Sequence, residues 1–246
     1  MLIKKRLSGL PVAYLIGHKS FYGLDFIVNK NTLVPRPETE MMVDLTTRYS
    51  QLITRNEQML MVDVGTGSGC IIISLAKQIL SRFPTPDFIA TDISPEALAV
   101  ARKNAKQHGV NKQIKFLRGN LLLPVLSDKN FQSKIKNQKP KIIITANLPY
   151  LTPTQIKNSP SIKHEPKIAL SAGPDGLKYY RQLFMQIRQM LNVKYQMSIF
   201  CEIDPSQSAK IKQLAKRELP KHKFEIKKDL AGYDRLAVIK INYNSI

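Results

Sequence analysis

The sequence has no tryptophan, only two cysteines and only four histidines in 246 residues. Two thiols cannot supply the several bridges that hold a small secreted fold, and Cys70 and Cys201 each fall inside an apolar run. That usage fits a reducing cytoplasm. The histidines are scattered, without metal-ligand spacing among themselves or with the cysteines, so no metal site is expected. Long apolar runs are missing too. None approaches the roughly 20 residues that a membrane-spanning helix needs, so no membrane partner is expected. The basic start, Met1–Arg6, leads into no long apolar region or small-residue cleavage site, and no signal peptide is read there. Acid is scarce: 18 Asp and Glu stand against 38 Lys and Arg, a formal net charge of +20. Such an excess attracts RNA, the ribosome or an acidic protein. The lysines spread over the whole chain, with clusters at Lys129–Lys141 and Lys210–Lys228, and no arginine–aromatic interleaving marks a nucleic-acid platform. A solvated basic surface is the expectation, with a weak RNA or ribosome contact left open.

What is present is a globular composition, 43% apolar and 23% charged, long enough for one good-sized α/β domain and a small appendage. From Leu10 to Val34 a weak alternation with turn signals at Gly17, Gly23 and Asn29–Asn31 predicts short strands or a β-hairpin. The prolines of Val34-Pro35-Arg36-Pro37-Glu38-Thr39-Glu40 then stop any strand and open a helix running to about Leu52. Strands are predicted at Leu60–Val64, Phe88–Asp92, Ile114–Arg118 and Ile142–Ala146, with helices after the first two. The lysine-rich stretch from Asp128 to Lys139 reads as an exposed loop with some helix. A long loop is expected from Thr152 to Asp175, and loops of that length in compact domains are often functional lids. A helix over Leu177–Leu191, a strand over Met197–Glu202 and a helix from Asp204-Pro205 to about Leu219 follow. Two strands, Phe224–Lys228 and Arg235–Ile241, turn through Gly232 and close the sheet.

Three strand ends carry chemistry. Gly65-Thr66-Gly67-Ser68-Gly69 lies between a buried strand and a helix start, which lets a ligand approach the backbone closely. Its spacing is G-x-G-x-G and not the dinucleotide G-x-G-x-x-G. Asp92 ends the next strand, roughly 20 residues past the glycines, where a carboxylate accepts hydrogen bonds from ribose hydroxyls. Asn120 and Leu121, at the end of the third strand, lie where an adenine would be held. The fourth strand ends in Asn147-Leu148-Pro149-Tyr150. The Asn147 carboxamide oxygen and the Leu148 carbonyl can accept two hydrogen bonds from one planar NH2 group. Pro149 fixes the backbone and Tyr150 offers a flat face. An ordinary strand end with a turn is the plain alternative for that segment taken alone.

The three together resemble the class I S-adenosylmethionine-dependent methyltransferases, a Rossmann-like fold whose seven-stranded sheet is mostly parallel with the last strand antiparallel. The stretches Gly9–Gly17, Pro35–Glu40, Glu165-Pro166 with Gly173 and Asp175-Gly176-Leu177, and Asp229–Arg235 make the likeness narrower. Over nearly the whole chain they are similar to release factor glutamine methyltransferases. The resemblance implies methyl transfer from S-adenosylmethionine, leaving S-adenosylhomocysteine, to the side-chain N5 of the Gly-Gly-Gln glutamine of peptide chain release factors. It implies that Gly65, Thr66, Gly67, Ser68 and Gly69 cradle the methionine end of the cofactor, Asp92 its ribose, and Asn120 and Leu121 its adenine. Asn147, Leu148, Pro149 and Tyr150 would hold the glutamine, with Asn147 also near the cofactor, and Pro35–Glu40 would cover the site or brace the strand–helix junction. Residues 1–34 are expected to be an N-terminal segment and hairpin left from a substrate-recognition region, and 35–246 the methyltransferase domain. This chain reads Asn-Leu-Pro-Tyr where the family reads Asn-Pro-Pro-Tyr. The Leu form is shared with ribosomal RNA adenine dimethyltransferases, so N6-adenine methylation of rRNA or DNA is the second reading. A ribosomal-protein glutamine is a further substrate within the first.

Overall fold

A computed structural model describes residues 2–54, 57–81, 86–190 and 196–242. Two short helices, α1 (Leu2–Leu7) and α2 (Val12–Ile16), come first. The second occupies a stretch whose alternation predicted only strands, and at five residues it is too short to show a helical period. Gly17 ends it at φ 81°, a left-handed turn that glycine enters without steric cost. The expected hairpin follows as β1 (His18–Phe21) and β2 (Leu24–Ile27). Its Phe21 and Phe26 are buried in one core with Met42, Met61 and Phe88. Buried Asn104 ties it down further. Asn104 Oδ1 accepts the Ile27 N–H at 2.8 Å, and its Nδ2 donates to the carbonyls of Ile27 at 3.0 Å and Ser68 at 2.8 Å. One short amide thus joins the hairpin to the glycine loop with all its groups satisfied.

The chain continues as α3 (Glu40–Ser50), β3 (Met59–Val64), α4 (Cys70–Ile79), β4 (Asp87–Asp92), α5 (Pro95–Gln107) and β5 (Ile114–Arg118). Next come α6 (Leu123–Leu126), α7 (Lys129–Gln138), β6 (Lys141–Ala146), α8 (Pro153–Lys157), α9 (Lys178–Met190) and β7 (Gln196–Glu202). Helix α10 (Ser208–Glu218) and strands β8 (His222–Lys228) and β9 (Asp234–Asn242) complete it. Strands β3–β9 form one sheet in the order β5-β4-β3-β6-β7-β9-β8. The five from β3 to β7 run parallel, and β9 lies antiparallel between β7 and β8. This is the expected seven-stranded sheet with its last strand reversed. All six residues of β3 are buried, because helices cover both faces of a parallel sheet. The two apolar cores lie on its two sides, one built on Leu60, Val62 and Ile144, the other on Met61, Ile72 and Phe88.

Two connections differ from expectation. Residues 129–138 are helix throughout, with the Asp128 side chain accepting the Phe131 N–H at 3.1 Å as a cap. Phe131 and Ile135, one helical turn apart, are buried, and the lysines between them hid that period. The segment from Thr152 to Asp175 is also not a bare loop. It holds α8, two single 3₁₀ turns at Pro160–Ile162 and Lys167–Ala169, and a parallel bridge from Leu151 to Ser171. Leu191, the expected end of α9, lies outside the described residues. No helix among the described residues is long and apolar enough to cross a membrane.

Candidate active site

From β3 the sheet runs one way through β4 and β5 and the other way through β6 and β7. The carboxyl ends of β3 and β6 therefore sit at the point where strand order reverses, and a crevice opens there. One cleft occupies it, lined by Gly65–Ser68, Asp92, Asn120, Leu121 and Asn147–Pro149. Ten of the twelve residues singled out from the sequence thus share one wall. Gly69 and Tyr150 do not line it. Gly69 (φ 82°) packs α4 against α5, where a Cβ would stand 2.9 Å from Ile73 and 3.2 Å from Ala101. Gly67 (φ 56°) differs, since nothing lies within 4 Å of where its Cβ would point.

Asp92 holds the glycine loop. Its Oδ2 accepts the Gly67 N–H and its Oδ1 the Ser94 N–H, both at 2.9 Å. Burial pushes its carboxyl pKa up, and these amides oppose the shift. Each oxygen keeps lone-pair capacity for another donor. Beneath the loop, buried Asp63 accepts hydroxyl hydrogen bonds from Thr66 at 2.6 Å and Thr145 at 2.7 Å. Burial outweighs both and raises its pKa to about 6. Leu121 sits at φ 52°, a left-handed conformation unusual for leucine, with the Leu122 N–H bound to Gln186 Oε1 at 2.8 Å.

The Asn147–Tyr150 turn is held from behind. The Asn147 amide nitrogen donates to Thr39 Oγ1 at 3.2 Å, and the Thr39 hydroxyl donates to Glu202 Oε2 at 2.6 Å. Tyr150 points inward, packs against the core, and donates its hydroxyl to the other Glu202 oxygen at 3.2 Å. Burial raises the Tyr150 pKa, as does the neighbouring Glu202 charge. The Tyr150 carbonyl accepts from Gln207 Nε2 at 2.8 Å. Buried Tyr180 donates its hydroxyl to the Glu202 carbonyl. Burial holds that phenol protonated, while a hydrogen bond from the Leu148 backbone N–H to its oxygen pulls the other way. Among the described residues, none donates to Asn147 Oδ1 or to the Leu148 carbonyl. Two acceptors on the cleft wall are left for an incoming NH2 group.

The Pro35–Glu40 segment contributes Pro35, Arg36 and Thr39 to the cleft. It is fixed by Glu165, whose carboxylate accepts the Val34 N–H at 3.0 Å and pairs with Arg36. Glu202, Tyr180 and Gln207 carried no signal in the sequence, because each lies in an ordinary helical or strand pattern. Thr39 lay inside a segment singled out as a whole. Ile168 and Tyr179, also on the cleft, come from the stretch read as a loop and from α9. No group of three His, Cys, Asp or Glu among the described residues is arranged to hold a metal ion.

A methyltransferase domain family matches residues 55–232. Release factor glutamine methyltransferase of Bacillus subtilis is 36% identical over 245 residues, which is 98% of this chain and 79% of that protein. The enzyme of the same name from Enterococcus faecalis is 38% identical over 234 residues, 94% of this chain and 76% of its own length. Among solved structures, the N-terminal domain of human METTL16 in complex with SAH aligns over 91% of this chain and 77% of that one, with TM-score 0.56 and 17% identity. The human methyltransferase 10 domain containing protein aligns over 91% and 90%, with TM-score 0.54 and 16% identity. The structural likeness establishes the fold, and the sequence likeness goes further: this chain belongs to the release factor glutamine methyltransferase family.

Proposed function

We propose that the chain transfers a methyl group from S-adenosylmethionine to the side-chain N5 of the Gly-Gly-Gln glutamine of peptide chain release factors. The observation that carries this reading is the pair of unengaged acceptors, Asn147 Oδ1 and the Leu148 carbonyl, on the cleft shared with Gly67 and Asp92. The residues present fit the cofactor. The space at the Gly67 Cβ position admits a ligand to the backbone, and the Asp92 carboxylate keeps acceptor capacity for ribose hydroxyls. When bound, S-adenosylmethionine supplies an electrophilic methyl group on a sulfonium.

A carboxamide nitrogen is a poor nucleophile because its lone pair is delocalised into the carbonyl. Asn147 Oδ1 and the Leu148 carbonyl would accept its two N–H bonds and fix the plane of the amide, so that the nitrogen meets the methyl group in a reactive geometry. As positive charge builds on that nitrogen, the same two oxygens would stabilise it. One N–H proton would then be lost to water to give the neutral methylamide, with S-adenosylhomocysteine as the other product. Residues 35–246 carry this chemistry in our reading, and residues 1–34 meet the protein substrate. The setting is a reducing cytoplasm, which suits two buried unpaired thiols. The basic surface adds a weak RNA or ribosome contact. Asn147→Ala removes one acceptor and leaves the glycine loop and Asp92 in place. It is expected to end turnover with cofactor affinity retained, measured as single-turnover methylation beside calorimetry. Normal single-turnover methylation by that variant would refute the clamp.

A further inference from the structure

The Asn147 side chain can face the cleft with its oxygen or with its NH2, and only the oxygen can receive a substrate amide. Oxygen and nitrogen differ little in size, so packing does not choose between the two orientations. A neighbouring charge separates them well. Thr39 has one hydroxyl proton and stands 2.6 Å from Glu202 Oε2. Burial pushes the Glu202 pKa up, and the hydrogen bonds from Thr39 and Tyr150 and the Arg235 charge oppose that shift. In its carboxylate form Glu202 has no proton to give. With Glu202 ionised the Thr39 proton goes to it, and the Thr39 oxygen is then left as an acceptor. Its partner at 3.2 Å is the Asn147 amide nitrogen, so the Asn147 oxygen turns to the cleft. The second Glu202 oxygen takes the Tyr150 hydroxyl from the far end of the same turn. Its carbonyl takes Tyr180, which also receives the Leu148 N–H.

We infer that Glu202 is the positioning residue of the clamp, setting through the Thr39 hydroxyl which atom of Asn147 meets the substrate. This rests on the substrate reading above for its purpose, though not for its geometry. Glu202 does not line the cleft and touches no reacting atom. It is 2% exposed, at the carboxyl end of β7, which pairs directly with β6, the strand that leads into Asn147. Burying a carboxylate is costly unless donors surround it, and here the Thr39 and Tyr150 hydroxyls each donate to one of its oxygens, while Tyr180 holds its backbone carbonyl. An apolar residue would fill the same space without that cost but would leave the Thr39 proton free to point either way. The orientation of Asn147 would then be unset.

Two readouts test this. In the parent protein, the side-chain amide of Asn147, assigned by its loss in Asn147→Asp, should show one proton protected from exchange by its bond to Thr39. Thr39→Val keeps the shape and removes the relay. It should lose that protection and lower kcat for release factor by about 10- to 100-fold, with cofactor Kd unchanged. Thr39→Ser restores the hydroxyl and should recover kcat to within about threefold. Glu202→Gln, which can donate to Thr39, should give two Asn147 amide environments and a kcat about tenfold down. A parent whose two Asn147 amide protons exchange freely would overturn the relay. So would a Thr39→Val variant with parent kcat, or a Glu202→Gln variant with both spectrum and kcat unaltered. A parent that methylates no release factor but keeps the protected amide proton supports the relay and contradicts the substrate reading alone.

Discussion

Gly176 shows how little room the clamp has. It sits at φ 71°, and a Cβ there would stand 2.4 Å from the Tyr150 carbonyl oxygen and 2.1 Å from Gln207 Nε2. Backbone cannot retreat as a flexible side-chain tip can, so Gly176→Ala must push the Tyr150 turn. We expect it to cost about 1–3 kcal/mol of stability from strain at that position, read by urea denaturation, and to lower turnover as well. Leu148 is the other residue-scale test. Its backbone N–H serves Tyr180, and proline would remove that donor while keeping the carbonyl that faces the cleft. Leu148→Pro should cost about 1 kcal/mol of stability. It should hold methylation of release factor within about tenfold, or about 1.4 kcal/mol of transition-state stabilisation. A gain of release factor methylation absent from the parent would show that Leu148 sets the substrate. At this scale the sequence was legible where a residue's place follows from a strand end: the glycines, Asp92 and Asn147 stand at strand ends that periodicity locates, and all but Gly69 line the cleft. Glu202 was not legible, because its meaning comes from Thr39, 163 positions away.

Among the elements, β3, β6 and the glycine loop meet over Asp63. Thr66 from the loop and Thr145 from β6 both donate to it, so one carboxylate joins all three. Burial raises its pKa from 3.8 to about 6. A raised folded-state pKa means the folded protein holds this proton more tightly than the unfolded chain. Its contribution to stability is full below pH 3.8 and is lost as pH rises through about 6. Asp63→Asn removes the titration and keeps the size. The stability of the parent relative to Asp63→Asn should therefore increase as pH falls from about 7 to about 5, in urea titrations at several pH values. A flat difference across that window would show that Asp63 does not titrate there. Strands and long helices were readable because β-branched runs and apolar periods dictate them. Helix α7 was obscured by its lysines, and α2 is too short to show a period.

The whole molecule joins a strongly basic sequence to a cleft in which the two acceptors proposed for the substrate amide, Asn147 Oδ1 and the Leu148 carbonyl, are neutral. Net charge of +20 steers the chain toward acidic partners without naming one. An enzyme that reads RNA through several phosphates would lose affinity steeply with salt, with a log–log slope near −0.9 per phosphate contact. Recognition of a protein loop should fall only moderately. The fold and the cleft were foreseeable from strand ends in sequence order, whereas the tie between residues 18–27 and Asn104, far along the chain, was not. The most direct measurement supplies methyl-labelled S-adenosylmethionine together with purified release factor, its Gly-Gly-Ala variant, ribosomal protein and rRNA, at low and high salt. The account predicts label on the release factor, none on the Gly-Gly-Ala variant, and a shallow salt dependence. Label on rRNA with a steep salt slope, or on the ribosomal protein with the release factor left unlabelled, would contradict it.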